Sequence, residues 1–389
     1  MSKFIPQIKN SQFFKQTYDV ASVWKNVDLI LLAAVILQSI IGLFTVYSAT
    51  RQRLLNQGFD QFFYVQRQVF FVLFASVLMA AVMSVGHDWI RERGVYFYAA
   101  SLFALLLVLV IGAVSNGARL SFDLGFISVQ PAELVKVTVL VLIAAYVSDE
   151  GKTKITYKEL VNSVWMLFFP FALILVQPDL GSATVLATGV VGILLVSGAK
   201  RLWVFAFTIL TSVTAAVLGL SGAVGTTQLK RFDAWFNQDS NEERLQRIVL
   251  QVRFAKRAVA SGGFFGKGYL QGPLTNGAYI PVQFQDFPFS AIGEQFGMLG
   301  SFTVLALFAV ICWRVWVIAK LARNRFDQLL ATGYFAMLLF QVFQNIGMTL
   351  GVTPVSGLPL PFISYGGSHL ASSALLMGLM QSIYMRRLR

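Results

Sequence analysis

Apolar residues occur along this chain in long, nearly uninterrupted segments that are separated by short polar turns. About 20 apolar residues are the length at which an α-helix crosses a hydrocarbon core roughly 30 Å thick. The pattern therefore predicts an all-α polytopic membrane protein with about ten transmembrane helices. We place them near residues 27–49, 68–85, 95–114, 133–147, 161–176, 182–196, 202–220, 287–313, 329–350 and 368–385.

The composition excludes a soluble protein. Hydrophobic residues make up 56% of the 389 residues and charged residues only 13%, whereas soluble domains carry roughly 25% charged residues. The first apolar segment is too long for the apolar part of a signal peptide, so we expect an uncleaved anchor. The single cysteine, Cys312, excludes a disulfide framework and a cysteine-ligated metal site.

The distribution of Lys and Arg predicts the orientation in the membrane. With the amino terminus inside, the predicted cytoplasmic segments carry 18 basic residues, against four in the short outer segments, Arg51, Arg53, Arg67 and Arg119. This bias is the one that the positive-inside rule describes, and it places both termini in the cytoplasm. The net charge of +13 is thus mostly topological, and no nucleic-acid partner is indicated.

The predicted spans divide the chain into five parts. Residues 1–26 form a cytoplasmic N-terminal segment, 27–220 form helices one to seven, and 221–285 form a large extracellular loop between spans 7 and 8. Residues 286–385 form helices eight to ten, and 386–389 form a cytoplasmic tail. A loop as long as this one is usually functional or disordered.

One part of the large loop has the pattern of an amphipathic helix. In residues 244–260, the apolar side chains of Leu245, Ile248, Val249 and Val252 lie on one side. Two interpretations are open. The helix lies on the lipid headgroups as an interfacial helix, or the loop forms a roof over an active site.

Ionisable residues inside membrane spans are costly and indicate function. Glu133 and Lys136 are three residues apart on the fourth predicted span, so they share one helix face and can pair. We expect them to line a polar cavity that is open to the outside, and a pair that only holds helices together is the alternative. Asp179 lies in a polar break between the fifth and sixth spans, where N-capping of the sixth span is an alternative role.

Two carboxylates, Asp286 and Glu294, open the eighth span directly after the large loop. Asp286 lies at the water–membrane boundary, where it can accept a proton or act only as the partner of a helix dipole. The glycine-rich run 261–268 fits neither common phosphate-binding fingerprint. We interpret it as a backbone nest that holds a lipid diphosphate together with Lys267. The two histidines, His87 and His369, show no ligand spacing and are assigned no chemistry.

Seven short motifs occur in a fixed order along the spans. They are 117–119 (GAR), 130–136 (QPAELVK), 177–181 (QPDLG), 262–268 (GGFFGKG), 286–287 (DF) with 293–297 (GEQFG), 345–348 (NIGM) and 359–368 (PLPFISYGGS). In this order they resemble the SEDS family (shape, elongation, division and sporulation) of RodA, FtsW and SpoVE over essentially the whole membrane-embedded length. The Gly-Lys-Gly ending of the glycine run and the short tails resemble RodA more than FtsW.

The resemblance implies a peptidoglycan glycosyltransferase of cell elongation and shape, which polymerises lipid II at the outer face of the bacterial cytoplasmic membrane. It implies that Asp286 is the catalytic general base on the acceptor sugar, while the undecaprenyl diphosphate of the donor leaves. A divalent cation, Mg²⁺ or Mn²⁺, is a candidate cofactor, although no all-protein metal cage is visible. The residues expected to bind the substrate are Arg67, Arg119, Glu133, Lys136, Asp179, Arg231, Lys267 and Ser364.

The resemblance also implies protein partners, namely a class B penicillin-binding protein and other membrane proteins of the elongation complex. The chain shows no Ser-x-x-Lys motif in an outer domain, so crosslinking of the strands has to come from another protein. We expect the partner's single helix to dock on the eighth and ninth spans. There, Gly333 and Ala336 give a small-x-x-small face, which packing within the bundle explains about as well.

One segment departs from the family pattern. Where the family has a carboxylate and a threonine ahead of the catalytic Asp-Phe pair, this chain has Val282 and Gln285, and Pro288 follows that pair. We expect altered surroundings of Asp286, with lower or partner-dependent activity or a variant lipid II. Two alternatives to a polymerase stay open. They are a lipid II flippase or transporter, because polar residues can also line a transport path, and a non-catalytic scaffold.

Overall fold

A computed structural model describes residues 24–115, 118–123, 125–148, 154–205, 209, 226–240 and 242–387. The described part of the chain is mostly helical, which confirms the predicted fold class. The seventh predicted span, 202–220, falls largely outside the described residues, as does most of the predicted N-terminal segment. The count of ten spans and the five-part division therefore stay predictions.

Seven of the described helices precede the large loop. The first begins after Asp28, whose carboxylate accepts a hydrogen bond from the Leu31 amide as an N-cap. The sixth begins with a capping box formed by Thr156 and Glu159. The helices are α1 (Leu29–Asn56), α2 (Phe63–Val85), α3 (His87–Glu92), α4 (Gly94–Ile111), α5 (Pro131–Val147), α6 (Tyr157–Val176) and α7 (Leu180–Val196).

The large loop contains four described helices, and three helices of the bundle follow them. The loop contains α8 (Thr226–Phe236), α9 (Glu243–Ser261), α10 (Pro273–Asn276) and α11 (Gln283–Asp286). The helices that follow are α12 (Pro288–Lys320), α13 (Arg325–Thr349) and α14 (Gly367–Met385). Among the described helices, α1, α2, α4, α6, α12 and α13 are long and apolar enough to cross a membrane, and α7 is shorter but apolar. Most residues of α5 and α14 are buried, so these two helices form the centre of the bundle.

A small antiparallel sheet, which the sequence did not predict, lies between α4 and α5. Its strands β1 (Ala113–Ser115), β2 (Ala118–Asp123) and β3 (Ser128–Val129) pair in chain order. Gly112 leaves α4 in an extended conformation (φ −64°, ψ 149°). The third predicted span, 95–114, therefore ends three residues too late, because its last apolar residues belong to β1.

The predicted amphipathic helix of the large loop is present as α9, but it does not lie on the headgroups. Leu245, Val249 and Val252 are buried, and Val252 packs in one cluster with Phe287 and Met348 at the start of α12 and the end of α13. The apolar side of α9 is thus covered by the bundle itself. The interpretation of an interfacial helix is wrong, and α9 forms a roof over this end of the bundle.

The glycine-rich run 261–268 packs against a break in α12. The break is at Gly297, which has φ 62° and ψ −152° inside an otherwise helical segment. A Cβ atom on Gly266 would lie 2.1 Å from the Gln295 carbonyl oxygen, so the close approach requires glycine. We call this contact the glycine clasp. Four backbone hydrogen bonds of 2.9–3.1 Å form it: Lys267 N to Glu294 O, Gly268 N to Gln295 O, Met298 N to Gly263 O and Leu299 N to Phe264 O.

The small residues of α13 pack inside the bundle rather than on a free face. A Cβ atom on Gly333 would lie 2.6 Å from Cγ1 of Ile193 in α7, and one on Gly192 would lie 2.6 Å from Cβ of Ala336. The expectation that Gly333 and Ala336 receive a partner's helix is therefore wrong. Their small size serves the close packing of α13 on α7.

Buried polar contacts tie distant helices together at the end of the bundle where α1 begins and α14 ends. Arg314 of α12 forms an ion pair of 2.7 Å with the carboxylate of Asp28. Gln381 of α14 donates to the backbone carbonyl of Asp28 and accepts from its backbone amide, both at 3.0 Å. Close by, His87 contacts the buried carboxylate of Asp327 at 3.1 Å.

Candidate active site

Asp286 is the last residue of α11, the short helix between the large loop and α12, and its side chain is partly exposed. Its backbone is held from two directions. The amide donates to the Val282 carbonyl at 3.1 Å, and the Asp286 carbonyl accepts from Nδ2 of the buried Asn345 at 2.9 Å. The same Asn345 nitrogen donates to the Leu358 carbonyl at 2.7 Å. A single amide group therefore joins α11 and α13 to the segment after α13.

The segment 358–366 forms the other side of the site. Ser364 is fully buried and its hydroxyl donates to the Gln285 carbonyl at 2.6 Å, while accepting from the Leu360 amide at 2.7 Å. The Tyr365 amide donates to the Phe284 carbonyl at 3.0 Å. Ser364 was expected to bind the substrate, but its hydroxyl is used to hold α11 in place, so the structure makes it a positioning residue.

The electrostatic environment of Asp286 contains two opposing influences. Burial raises the pKa of its carboxyl from 3.8 to about 6, and the positive charge of Arg231 acts in the opposite direction. Arg231 reaches the site from α8 and donates from Nη1 to the Ser356 carbonyl at 3.2 Å. Asp286 is thus a carboxyl whose pKa lies close to neutral pH, with a guanidinium nearby. This is the character expected of a general base.

Arg67 borders the same site through an aromatic cluster. Its guanidinium lies over the Phe63 ring, 4.4 Å from the centroid, and its positive charge acts on the Tyr365 hydroxyl. The Tyr365 ring contacts the rings of Tyr64 and Phe284 at centroid distances of 5.3 and 5.4 Å. The structure therefore brings Arg67, Arg231 and Ser364, of the residues predicted to bind substrate, to the surroundings of Asp286.

The unusual segment before Asp286 has a strained backbone. Val282 has φ 51°, in the left-handed region, which is costly for a β-branched side chain. Its side chain packs in an apolar cluster with Tyr64, Phe284 and Tyr365. An apolar residue here contributes to the wall behind Asp286 and adds no second charge next to that carboxyl.

Glu133 and Lys136 form a second, closed cluster. Their ion pair is 2.7 Å long, and both side chains are nearly fully buried, with 3% and 2% exposed. On α14, Ser372 donates to Glu133 at 2.7 Å and His369 lies 3.4 Å from the same oxygen. The pairing is confirmed. The expected cavity open to the outside is wrong for this structure, because α14 encloses the pair. His369, to which no chemistry was assigned, belongs to this cluster.

The remaining predicted ligands lie elsewhere. Asp179 caps α7 by accepting from the Ser182 amide at 2.9 Å, and it accepts from Nε2 of Gln130 at 3.0 Å, so the capping interpretation is confirmed. Arg119 donates to the carbonyls of Leu109 and Val110 at the end of α4. Both side chains thus have structural partners.

Lys267 lies in the glycine clasp with an exposed side chain. Its own amide and that of Gly268 are hydrogen-bonded to α12. These two amides are therefore not available to a diphosphate, and binding of a diphosphate by the Lys267 side chain stays a prediction.

Glu294 is fully buried and has a role that sequence reasoning did not find. Its carboxylate accepts three hydrogen bonds from α10, from the amides of Leu274 and Thr275 at 2.8 Å and from the Thr275 hydroxyl at 2.6 Å. Next to it, Gln295 donates to Ser48 of α1 at 3.1 Å and accepts from the Leu270 amide at 2.9 Å. These two side chains fix the loop on α12, and the sequence indicated them only through their position in a span and in the motif 293–297.

No group of three or more His, Cys, Asp or Glu side chains in the described ranges is placed to hold a metal ion. The donors around Asp286 therefore do not fit a divalent cation held by protein ligands alone. The chemistry of the site is that of one carboxylate, two guanidinium groups and an aromatic wall.

Comparison with known proteins places this geometry in a family. The family model FtsW, RodA and SpoVE, described as cell cycle protein, matches residues 28–388. The peptidoglycan glycosyltransferase MrdB of Escherichia coli K12 is 28% identical over 324 residues, which cover 83% of this chain and 86% of that protein.

Two solved structures have a similar fold. Rod shape determining protein RodA of Thermus thermophilus has a TM-score of 0.68 and 26% identity, and the match covers 93% of this chain and 98% of that one. A chain of a peptidoglycan synthase complex, described as coordinating polymerization and crosslinking, has a TM-score of 0.77 and 26% identity, and the match covers 93% and 99%.

Proposed function

The chain belongs to the FtsW, RodA and SpoVE family of cell cycle proteins, and on that basis we propose that it is a peptidoglycan glycosyltransferase of the RodA type, which polymerises lipid II into glycan strands. The likeness to MrdB, a peptidoglycan glycosyltransferase, supports the activity. The likeness to a rod shape determining protein supports a role in cell elongation and shape. The chain is a multi-pass membrane protein, and the membrane we propose is the bacterial cytoplasmic membrane, with both termini inside.

One observation carries this proposal, the partly exposed Asp286 carboxyl at the end of the large loop, whose pKa burial raises to about 6. In the proposed step, the carboxylate accepts the proton of the acceptor sugar's hydroxyl group. The hydroxyl oxygen forms a bond to the anomeric carbon of the donor. The bond from that carbon to the undecaprenyl diphosphate breaks, and the diphosphate leaves with the electron pair.

We propose that Arg231 and Arg67 are the cations that bind the leaving diphosphate. The charge of Arg231 lowers the pKa of the Asp286 carboxyl. The charge of Arg67 acts on the Tyr365 hydroxyl, and the Tyr365 amide is hydrogen-bonded to α11. Guanidinium groups bind phosphate oxygens in a bidentate manner and stabilise the charge that develops on them. We assign Lys136, Glu133 and Asp179 structural roles, because their charged groups are engaged by the chain itself.

Replacing Asp286 tests the proposal. Asp286→Asn keeps the shape of the side chain and removes the base, so we expect polymerisation of purified lipid II to fall by at least about 100-fold. The matched control is Asp239→Asn, a fully exposed aspartate of the same loop, which should leave the rate unchanged. Full activity of Asp286→Asn, at wild-type expression and monodispersity, would disprove the role of general base.

We propose further that the chain works with a class B penicillin-binding protein and with other membrane proteins of the elongation complex. The likeness to a chain of a complex that coordinates polymerization and crosslinking supports a transpeptidase partner. Val282, whose backbone is strained, lies directly before α11. We propose that a partner that contacts α9 fixes the conformation of this residue. We expect co-purification with the partner to raise the polymerisation rate. Equal rates at saturating lipid II would refute activation, even if the two proteins bound each other.

A further inference from the structure

A basic pocket lies at the opposite end of α12 from the candidate active site. It is an open groove of about 400 Å³ at the turn from α12 to α13, beside the end of α7. Three of its lining residues are cationic. Within the described part of the chain, no lining residue is acidic. The lining residues are Val196, Ala319, Lys320, Ala322, Arg323, Asn324, Arg325 and Gln328.

Two of the three cations of this pocket form no ion pair among the described residues. Lys320 and Arg323 are exposed and form no ion pair there. The acidic residue nearest in sequence, Asp327, is buried, does not line the pocket and contacts His87 at 3.1 Å instead. The pocket therefore presents at least two available cations to whatever enters it.

Aromatic residues indicate the depth of the pocket in the membrane. Trp313 and Trp316 of α12 are 52% and 40% exposed and precede the pocket by one to two helical turns. Lys320 Nζ lies over the Trp316 ring, 5.4 Å from its centroid. Exposed Trp residues mark the membrane–water interface, so the cations of the pocket lie at the level of the lipid headgroups. The positive-inside rule alone explains basic residues at this level, but it does not explain a groove that gathers them.

We infer that this pocket binds the phosphate of an anionic phospholipid headgroup. The predicted orientation places it in the cytoplasmic leaflet, on the side away from polymerisation. Lys320 and Arg323 bind the phosphate oxygens, and the acyl chains lie along the exposed apolar surface of α12 below Trp316. A bound headgroup here would join the end of α7 to the turn between α12 and α13.

The test uses the full-length protein purified in detergent and titrated with phosphatidylglycerol, with native mass spectrometry to count bound lipids. The variant Lys320→Gln/Arg323→Gln removes two charges of the pocket. The matched control, Lys154→Gln/Lys158→Gln, removes two exposed charges that the same orientation places on the same face. We expect binding to weaken about tenfold in the pocket variant and to stay near the wild-type value in the control. Phosphatidylcholine should bind to the wild type no more tightly than it binds to the pocket variant.

Two results would overturn the inference. An equal loss of phosphatidylglycerol binding in the pocket variant and in the control would show that binding depends only on the overall charge of this face. Displacement of phosphatidylglycerol by soluble glycerol phosphate at matched concentration would show that the pocket recognises a free phosphate compound and not a lipid. Both variants alter exposed side chains, and a symmetric elution profile on size exclusion confirms that they are folded.

Discussion

At the scale of single residues, the Asp286 carboxyl is set by a balance of burial and charge. Burial raises its pKa to about 6, and Arg231 holds it below the value that burial alone would give. A general base works only when it is deprotonated. The rate should therefore be high above pH 6 and fall as the pH decreases through about 6, where the carboxyl becomes protonated.

Replacing Arg231 should move this acidic limb. Arg231→Gln removes the charge that lowers the pKa of Asp286, so protonation will begin at a higher pH and the limb of the pH–rate profile shifts upward. Arg257→Gln is the matched control, because Arg257 is an exposed arginine of the same loop. Profiles of initial rate between pH 5 and 9 provide the measurement. An unchanged limb in Arg231→Gln, with only a lower maximum, would assign Arg231 to the diphosphate alone.

The position of Asp286 could be predicted from the sequence, because a carboxylate directly between a long polar loop and an apolar span is held at the water–membrane boundary. Its catalytic role comes from the resemblance to the family and stays a prediction. The residues that position it could not. Asn345 and Ser364 act through backbone carbonyls, and such contacts leave no periodicity or spacing in a sequence. The same reason hid the contact of His369 with Glu133, which joins residues 236 positions apart.

At the scale of elements, the glycine clasp makes a prediction that two glycines can test. Gly263 and Gly266 both have positive φ, 60° and 81°, but a Cβ atom meets nothing within 4 Å on Gly263 and backbone at 2.1 Å on Gly266. Gly263→Ala should cost only the conformational penalty of about 1–2 kcal/mol. Gly266→Ala should cost about 3 kcal/mol or more, because it also pushes apart hydrogen bonds worth about 1 kcal/mol each.

Thermal unfolding midpoints of the two variants in detergent give the comparison, and limited proteolysis reports on the loop itself. We expect the loop of Gly266→Ala to be cleaved faster than that of Gly263→Ala. Equal midpoints and equal cleavage would mean that the clasp does not hold the loop in solution.

The helices could be predicted where the sequence has a long apolar run or a helical pattern of apolar residues. Apolar runs predicted α5 and α7 to within two residues, since a span needs only length and hydropathy. The amphipathic pattern located α9 correctly but not the surface it covers, because period 3.6 defines a face and not its partner. The sheet of residues 113–129 was missed since its three strands, of three, six and two residues, are too short to show alternation.

At the scale of the whole molecule, Asp28 and Arg314 close the bundle by joining its first helix to α12. The exposed fractions of their side chains are 1% and 11%, so the ion pair is buried. Arg314→Met keeps the apolar part of the side chain and leaves the carboxylate without its charge partner. We expect this to cost about 3–5 kcal/mol of unfolding free energy. Adding Asp28→Asn should recover much of the loss, because an Asn retains the N-cap and carries no charge.

The matched control is the exposed pair of Arg93 and Glu92, with 42% and 55% of the side chains exposed. Arg93→Met should cost no more than about 1 kcal/mol. Unfolding in mixed detergent micelles gives the free energies for all three variants. If Arg314→Met were as stable as Arg93→Met, the buried ion pair would contribute no more to the free energy of unfolding than the exposed pair does. The sequence did not predict this pair, because Asp28 and Arg314 are 286 positions apart and no spacing relates them.

The glycine clasp has a mechanical consequence. If a growing glycan strand or a partner pulled on the large loop, four backbone hydrogen bonds around Gly297 would share that tension. Bonds that share a load fail together, so the loop resists small forces and yields abruptly at a larger one. The pull passes into α12, whose far end carries Arg314 and the basic pocket. Tension on the loop is thereby carried along α12 to the end of that helix that lies beside the basic pocket.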